Sequence, residues 1–238
     1  SYELDNDVMD DYSLKLGLGD GMGTLTFSGD SVNAGGVDTV KDIVPSAYTP
    51  VYENTNGVDN GLATTSGRAT TGMFGYSVSA AGFDISLGYN STPAAGTSAE
   101  SSIGIKYNDL MDGLTVAAGR MDDSDTAEND TYGFTYTMGS MTAGYQITKV
   151  DYEAAGTADQ DATHYGISVA VNENLSVSAG RQEVEIDNAA EDEVNAGFGA
   201  SYTMGSITIG GGLNNVESAG GSSGSDAEVA MLNLAFAF

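Results

Sequence analysis

YSLKLGLGDGMGTLTFS, residues 12–28, decides how the rest of the chain is read. Tyr12, Leu14, Leu16 and Leu18 alternate with Ser13, Lys15, Gly17 and Gly19. Asp20 to Gly23 supply a turn, and Leu25 and Phe27 resume the apolar phase against Thr24, Thr26 and Ser28. A period of two on both sides of a Gly/Asp turn is a β-hairpin, because successive strand side chains point to opposite faces.

The pattern recurs outward from this hairpin. Phe74, Tyr76 and Val78 turn at Ala80 to Gly82 into Phe83, Ile85, Leu87 and Tyr89. Ile103, Ile105 and Tyr107 lead into Leu114, Val116 and Ala118, and Tyr132, Phe134 and Tyr136 lead through Met138-Gly139-Ser140 into Met141, Ala143, Tyr145 and Ile147. Tyr165, Ile167, Val169 and Val171 return as Leu175, Val177 and Ala179. Val194, Ala196, Phe198, Ala200 and Tyr202 return through Met204-Gly205-Ser206 as Ile207, Ile209 and Leu213, and MLNLAFAF ends the chain. Thirteen strands are expected. Tight turns centred near Ala81, Met111, Gly139, Glu173 and Gly205 recur at roughly 30 residues, the length of two strands plus one long loop. The long connections hold the acid: Asp122, Asp123, Asp125, Glu128 and Asp130, then Asp151, Glu153, Asp159 and Asp161, then Asp187, Glu191, Asp192 and Glu193.

One connection breaks the rhythm. Asp30 to Arg68 lacks a period of two and holds Pro45 and Pro50, and a connection that long in a regular fold is functional or disordered.

Composition narrows the class. The chain has 238 residues with 34 acidic against 7 basic ones, a net charge of −27, no Cys and no Trp. Nucleic acid is excluded as a partner, because counterion release needs Lys and Arg on the phosphates. No apolar run approaches the ~20 residues of a membrane helix, so any membrane crossing is by strands. The polar faces are mostly Gly, Ser and Thr, which suit the wall of a lumen better than the Lys and Glu that coat a soluble sheet. Tyr12, Tyr76, Tyr89, Tyr107, Tyr136 and Tyr202 sit near the ends of the apolar faces, where an interfacial girdle lies. A soluble β-sandwich or adhesin with an ordinary aromatic core is the alternative.

These residues resemble the general bacterial porins of the outer membrane, most closely the 16-stranded, strongly acidic type of purple and other alphaproteobacteria. The apolar last strand closing on Phe238, the alternation of short turns with long acidic loops, and one long internal loop carry the likeness. It implies a transmembrane antiparallel up-and-down β-barrel in which residues 30–68 fold inward as a constriction loop of a single domain, 1–238. It also implies passage of small hydrophilic solutes and ions, a homotrimer, and contact with lipid bilayer and lipopolysaccharide, with the terminal aromatic resembling the mark read by the barrel-assembly machinery. Against the family pattern the strand at residues 12–18 would be the fourth. The start SYELDNDVMDDY has no initiator Met, so an N-terminally incomplete or processed chain is expected.

In a pore the chemistry is electrostatic: acids on the inward loop facing bases on the wall set a transverse field. The loop supplies Asp38, Asp42, Glu53 and Asp59, with Lys41 and Arg68 in the same stretch. Lys15 and Lys106 alternate with the apolar residues and belong to the lumen wall. Arg120, Lys149 and Arg181 share the apolar phase. A bulge near the long-loop rim would turn them inward, which makes Arg120 and Arg181 candidate wall bases; otherwise they snorkel to headgroups or meet a neighbouring barrel. The acid excess implies cation preference; clustered carboxylates on the outer loops suit Ca²⁺, but their spacing matches no EF-hand or nonapeptide calcium repeat, so solvated charge is the preferred reading and no cofactor is expected. No catalytic constellation is present: the single His164 has no Cys or serine motif beside it. Gly210-Gly211-Gly212 marks close packing or a bend. A substrate-specific channel and a non-conducting structural barrel or adhesin remain the alternatives.

Overall fold

A computed structural model describes residues 2–5, 8–29, 36–40, 42–52, 73–91, 98–123, 125 and 127–237. Fourteen strands form one sheet. They are β1 Tyr2–Asp5, β2 Val8–Gly17, β3 Thr24–Gly29, β4 Met73–Ala80, β5 Phe83–Asn90, β6 Glu100–Met111 and β7 Leu114–Asp123. The remaining seven are β8 Ala127–Met138, β9 Met141–Tyr152, β10 Gln160–Ala170, β11 Leu175–Ile186, β12 Glu193–Met204, β13 Ile207–Glu217 and β14 Ala227–Phe236. Hydrogen-bonded neighbours follow sequence order, an antiparallel up-and-down sheet. Helical structure among the described residues is confined to two 3-10 turns, Gly36–Thr39 and Ala219–Gly221.

Strands β2 to β14 are the thirteen alternating runs. The fourteenth is β1, which pairs antiparallel with β2 through Tyr2↔Tyr12 and Asp5↔Val8 with a register shift between Tyr2 and Leu4. Four residues interrupted by that shift are too short to display a period, so this strand was not visible in the alternation. Hairpin turns follow the expected chemistry. Gly139 and Gly205 take φ 62° and 63° in the Met-Gly-Ser turns, a conformation that costs residues with a Cβ about 1–2 kcal/mol.

The two faces of the sheet are inverted relative to a soluble protein. One face carries the described part of the 30–68 connection and buries its polar residues: Asn129, Gln182, Glu193 and Asn195 are each 0 % exposed. The opposite, bare face leaves Leu232 82 %, Phe198 70 % and Leu14 70 % exposed. Aromatic pairs bridge strands on that bare face, with ring centroids 5.2 Å apart in Phe27–Phe74 and 4.4 Å in Phe83–Tyr107.

Packing divides the chain into two compact units: residues 1–42, 62–132 and 150–157, and residues 43–61, 133–149 and 158–238. In the first, Val37 and Val40 of the connection are buried, as are Ala117, Met73 and Met121 of the strands. In the second, Val44, Val51 and Tyr52 are buried, as are Ala162, Val184 and Val216. Each fully buried aliphatic side chain contributes about 1.5–3 kcal/mol, so the connection supplies a substantial share of the apolar core in each unit. Connections of the second unit are also laced together. Ser218 and Ser223 donate to the Glu191 carboxylate at 2.6 and 2.9 Å, and the Gly220 N–H donates to Glu193 at 2.7 Å.

Candidate functional site

The described part of the long connection lies flat on the polar face, like a strap, because the strands beneath it have glycine where it passes. In the first unit a Cβ on Gly119 would stand 2.6 Å from Val40 Cγ2 and 2.9 Å from Val37 Cγ2. In the second a Cβ on Gly144 would stand 2.6 Å from Pro45 Cδ, and one on Gly133 2.5 Å from Ile43 Cδ1. Real Cβ atoms do not approach that closely, so the groove exists only because those positions are glycine. Gly210, the first of the glycine run, receives the Tyr48 ring in the same way, which is close packing, one of the two readings of that run.

Polar wall residues fasten the strap through its backbone. The Gly36 N–H donates to Ser86 Oγ at 2.8 Å, and Thr39 Oγ1 closes the 3-10 turn by donating to Gly36 O at 2.8 Å. In the second unit the Ile43 N–H donates to Gln146 Oε1 at 3.1 Å and the Ala47 N–H to Ser178 Oγ at 2.9 Å. Asn214 Nδ2 donates to Val51 O at 3.0 Å. His164 is buried edge-on against Tyr52, centroids 4.8 Å apart, and serves as packing for the strap. None of these anchors was singled out from sequence. The usable clue was a large amide, Gln146 or Asn214, on a wall phase made mostly of Gly, Ser and Thr.

The charged residues separate by face. Asp38 and Asp42 ride on the strap, half-buried and exposed respectively, whereas Glu53 and Asp59, with Lys41 and Arg68, lie outside the described residues. Lys15 and Lys106 are on the strap-bearing face of the first unit, Lys15 opposite Thr26 and Lys106 opposite Asp84. Arg120 and Arg181, counted among the wall bases, are instead on the bare face. The register runs unbroken through Ile103↔Arg120 and through Tyr165↔Arg181↔Ala196, so no bulge turns them inward.

Near the long-loop end of the bare face each of these bases finds acids of its own phase. Arg120 pairs with Asp130 at 3.1 Å and Glu128 at 2.5 Å, Arg181 with Glu183 at 3.6 Å, and Lys149 with Asp161. Among the described residues no group of three or more His, Asp or Glu side chains is placed to hold a metal ion. Phe238 also lies outside the described residues.

Among the described residues the arrangement presents fixed charges and hydroxyls along a polar face that the strap crosses. Solved structures with the same fold include an anion-selective porin from Comamonas acidovorans, 13 % identical, with a TM-score of 0.68 over 96 % of this chain and 78 % of that one. A variant of the Rh. blastica porin is 15 % identical, TM-score 0.67, over 97 % and 78 %. OmpT, an outer membrane protein of Vibrio cholerae, is 17 % identical, TM-score 0.61, over 94 % and 76 %. No curated protein sequence matches. The Gram-negative porin family model matches residues 3–221. The chain therefore belongs to the Gram-negative porin family, outer-membrane β-barrels that serve as channels for passive diffusion.

Proposed function

We propose that this porin is a water-filled channel for small hydrophilic solutes and ions in which the strap forms the constriction and gives a preference for cations. The observation that carries the reading is the seat of the strap. A connection held by backbone-to-side-chain hydrogen bonds in a glycine groove is a permanent narrowing. Asp38 and Asp42 belong to the strap and Lys15 and Lys106 to the face that carries it, and a field between acids and bases so placed sorts solutes by charge and size. The 34 acidic residues against 7 basic ones tilt that field toward cations. The anion-selective Comamonas porin shares the fold, so charge rather than architecture sets the sign.

On the bare face, hydrocarbon and neighbouring copies in a homotrimer cover the exposed Leu, Phe and Tyr. Lipopolysaccharide lies above them, level with the paired Arg120, Lys149 and Arg181. The test is the reversal potential of the purified protein in planar bilayers under a KCl gradient. A potential displaced toward the K⁺ equilibrium value is expected. Displacement toward Cl⁻ overturns the cation preference, and absence of conductance overturns the channel in favour of a structural barrel.

A further inference from the structure

Beside the strap, the first unit has a polar cavity of about 450 Å³. Thr39 of the strap closes one side, and Thr24, Ser77, Ser86, Asp84 and Lys106 line the wall. Two of these carry opposite charge and are register partners on adjacent strands, Asp84 on β5 and Lys106 on β6. Register partners project side by side on one face with Cα atoms about 4.5–5.5 Å apart.

The two charges are held differently. Ser79 Oγ donates to Asp84 Oδ1 at 2.5 Å and Asn108 Nδ2 donates to Oδ2 at 2.9 Å, while Thr115 Oγ1 fixes Asn108 by donating to its Oδ1 at 2.8 Å. That carboxylate is aimed by its neighbours, and with about four acceptor positions it retains two. Among the described residues the Lys106 ammonium makes no salt bridge or hydrogen bond and acts on Asp84 only through space, in contrast to Arg120, Lys149 and Arg181 on the other face. It is half-buried and keeps its three donors for a solute.

We propose that this cavity is a binding subsite for zwitterionic solutes of the α-amino-acid class, a deepening of the channel reading on which it rests. The solute carboxylate takes the Lys106 ammonium, and its ammonium takes the free acceptor positions of Asp84. Both solute charges sit on one carbon and so meet two adjacent counter-charges at once. The hydroxyls of Thr24, Thr39, Ser77 and Ser86 replace water around it. A simple anion meets Asp84 and a simple cation meets Lys106, so neither gains what the zwitterion gains.

The test uses L-alanine, with propionate and ethylammonium as single-charge probes, added to channels conducting KCl in planar bilayers. Each variant is normalised to its own conductance without probe. L-Alanine is expected to lower the current saturably, and the single-charge probes are not. Lys106→Met is expected to raise the half-blocking alanine concentration about tenfold, the scale of one charge-assisted hydrogen bond. The exchange Asp84→Lys with Lys106→Asp is expected to restore block. A non-saturating alanine response, an unchanged half-blocking concentration in Lys106→Met, or equal block by propionate overturns the subsite while leaving the channel intact. Absence of KCl conductance overturns the channel reading and the subsite with it.

Discussion

Strand β12 has two faces that obey opposite rules. Glu193 and Asn195 are fully buried on the strap-bearing side, and Asn195 Nδ2 donates to Gln182 Oε1 at 2.8 Å and Glu193 Oε1 at 2.7 Å. On the other side of the same strand Phe198 is 70 % exposed and Tyr202 41 %. In water this ordering would lose stability twice, once for the exposed apolar area and once for the buried amides. It is stable when hydrocarbon replaces water on the bare face and hydrogen bonds such as those of Asn195 Nδ2 offset part of the burial on the other. The comparison teaches that burial means different things on the two faces: in the protein interior it is packing under the strap, and on the bare face its absence marks the lipid.

The largest effect that can break this comparison is a charge in the middle of the bare face. Leu232→Arg, on β14 opposite Gly211, is expected to lose about 2–4 kcal/mol, read as a lower urea midpoint for the barrel refolded in lipid vesicles. Tolerance equal to that of Leu232→Ala would mean that this face does not meet hydrocarbon. The next test acts on the strap-bearing face. Gly144→Val puts atoms where Pro45 sits, with about 1–3 kcal/mol lost to overpacking, and is expected to lift the strap and raise single-channel conductance. Conductance equal to wild type would separate the strap from the constriction.

Smaller effects sharpen the contrast in charges. Arg120→Met removes exposed ion pairs of about 0–1 kcal/mol and is expected to leave the reversal potential in place. Lys106→Met, on the other face, is expected to move it further toward K⁺. Equal shifts for both would refute the assignment of bases to faces.

The smallest effect is a local pH response in the connections. Hydrogen bonds from Ser218 and then Ser223 hold the Glu191 carboxyl below the usual glutamate range. A pKa lowered by folding contributes stability that is fully present above the unfolded value, about 4.3, and is lost as pH falls through the folded one. Amide protection at residues 187–192 and 218–226, taken relative to the intrinsic exchange rate at each pH, is therefore expected to be unchanged from neutral pH to the unfolded value and to fall below it. Ser218→Ala is expected to shrink that response, because it returns the folded value toward the unfolded one.

Much of this was legible in the residues themselves. The period of two in Tyr12 to Leu18 or Val194 to Tyr202 assigns each side chain to a face, and parity placed Lys15 and Lys106 on the strap side. Parity also held at Arg120 and Arg181, where an inward bulge was one of two alternatives and the register shows none. A bulge is one extra unpaired residue, and nothing in composition distinguishes it from a regular strand end. The β1 strand was missed for a related reason: four residues with a register shift carry no readable period.

The anchors of the strap were not legible, because each joins positions far apart in the chain. Ile43 to Gln146 and Val51 to Asn214 are separated by 103 and 163 residues. The glycines at 119, 133 and 144 read as a neutral wall until the strap is laid over them. The sequence by itself determined the strands, their two faces, the sign of the charge and the one connection too long for its place, since these follow from local sterics and a side-chain period that neighbours share. Only the tertiary structure decided where that connection lies, which glycines admit it and which amides fasten it, because those outcomes depend on close approach between segments that only folding brings together.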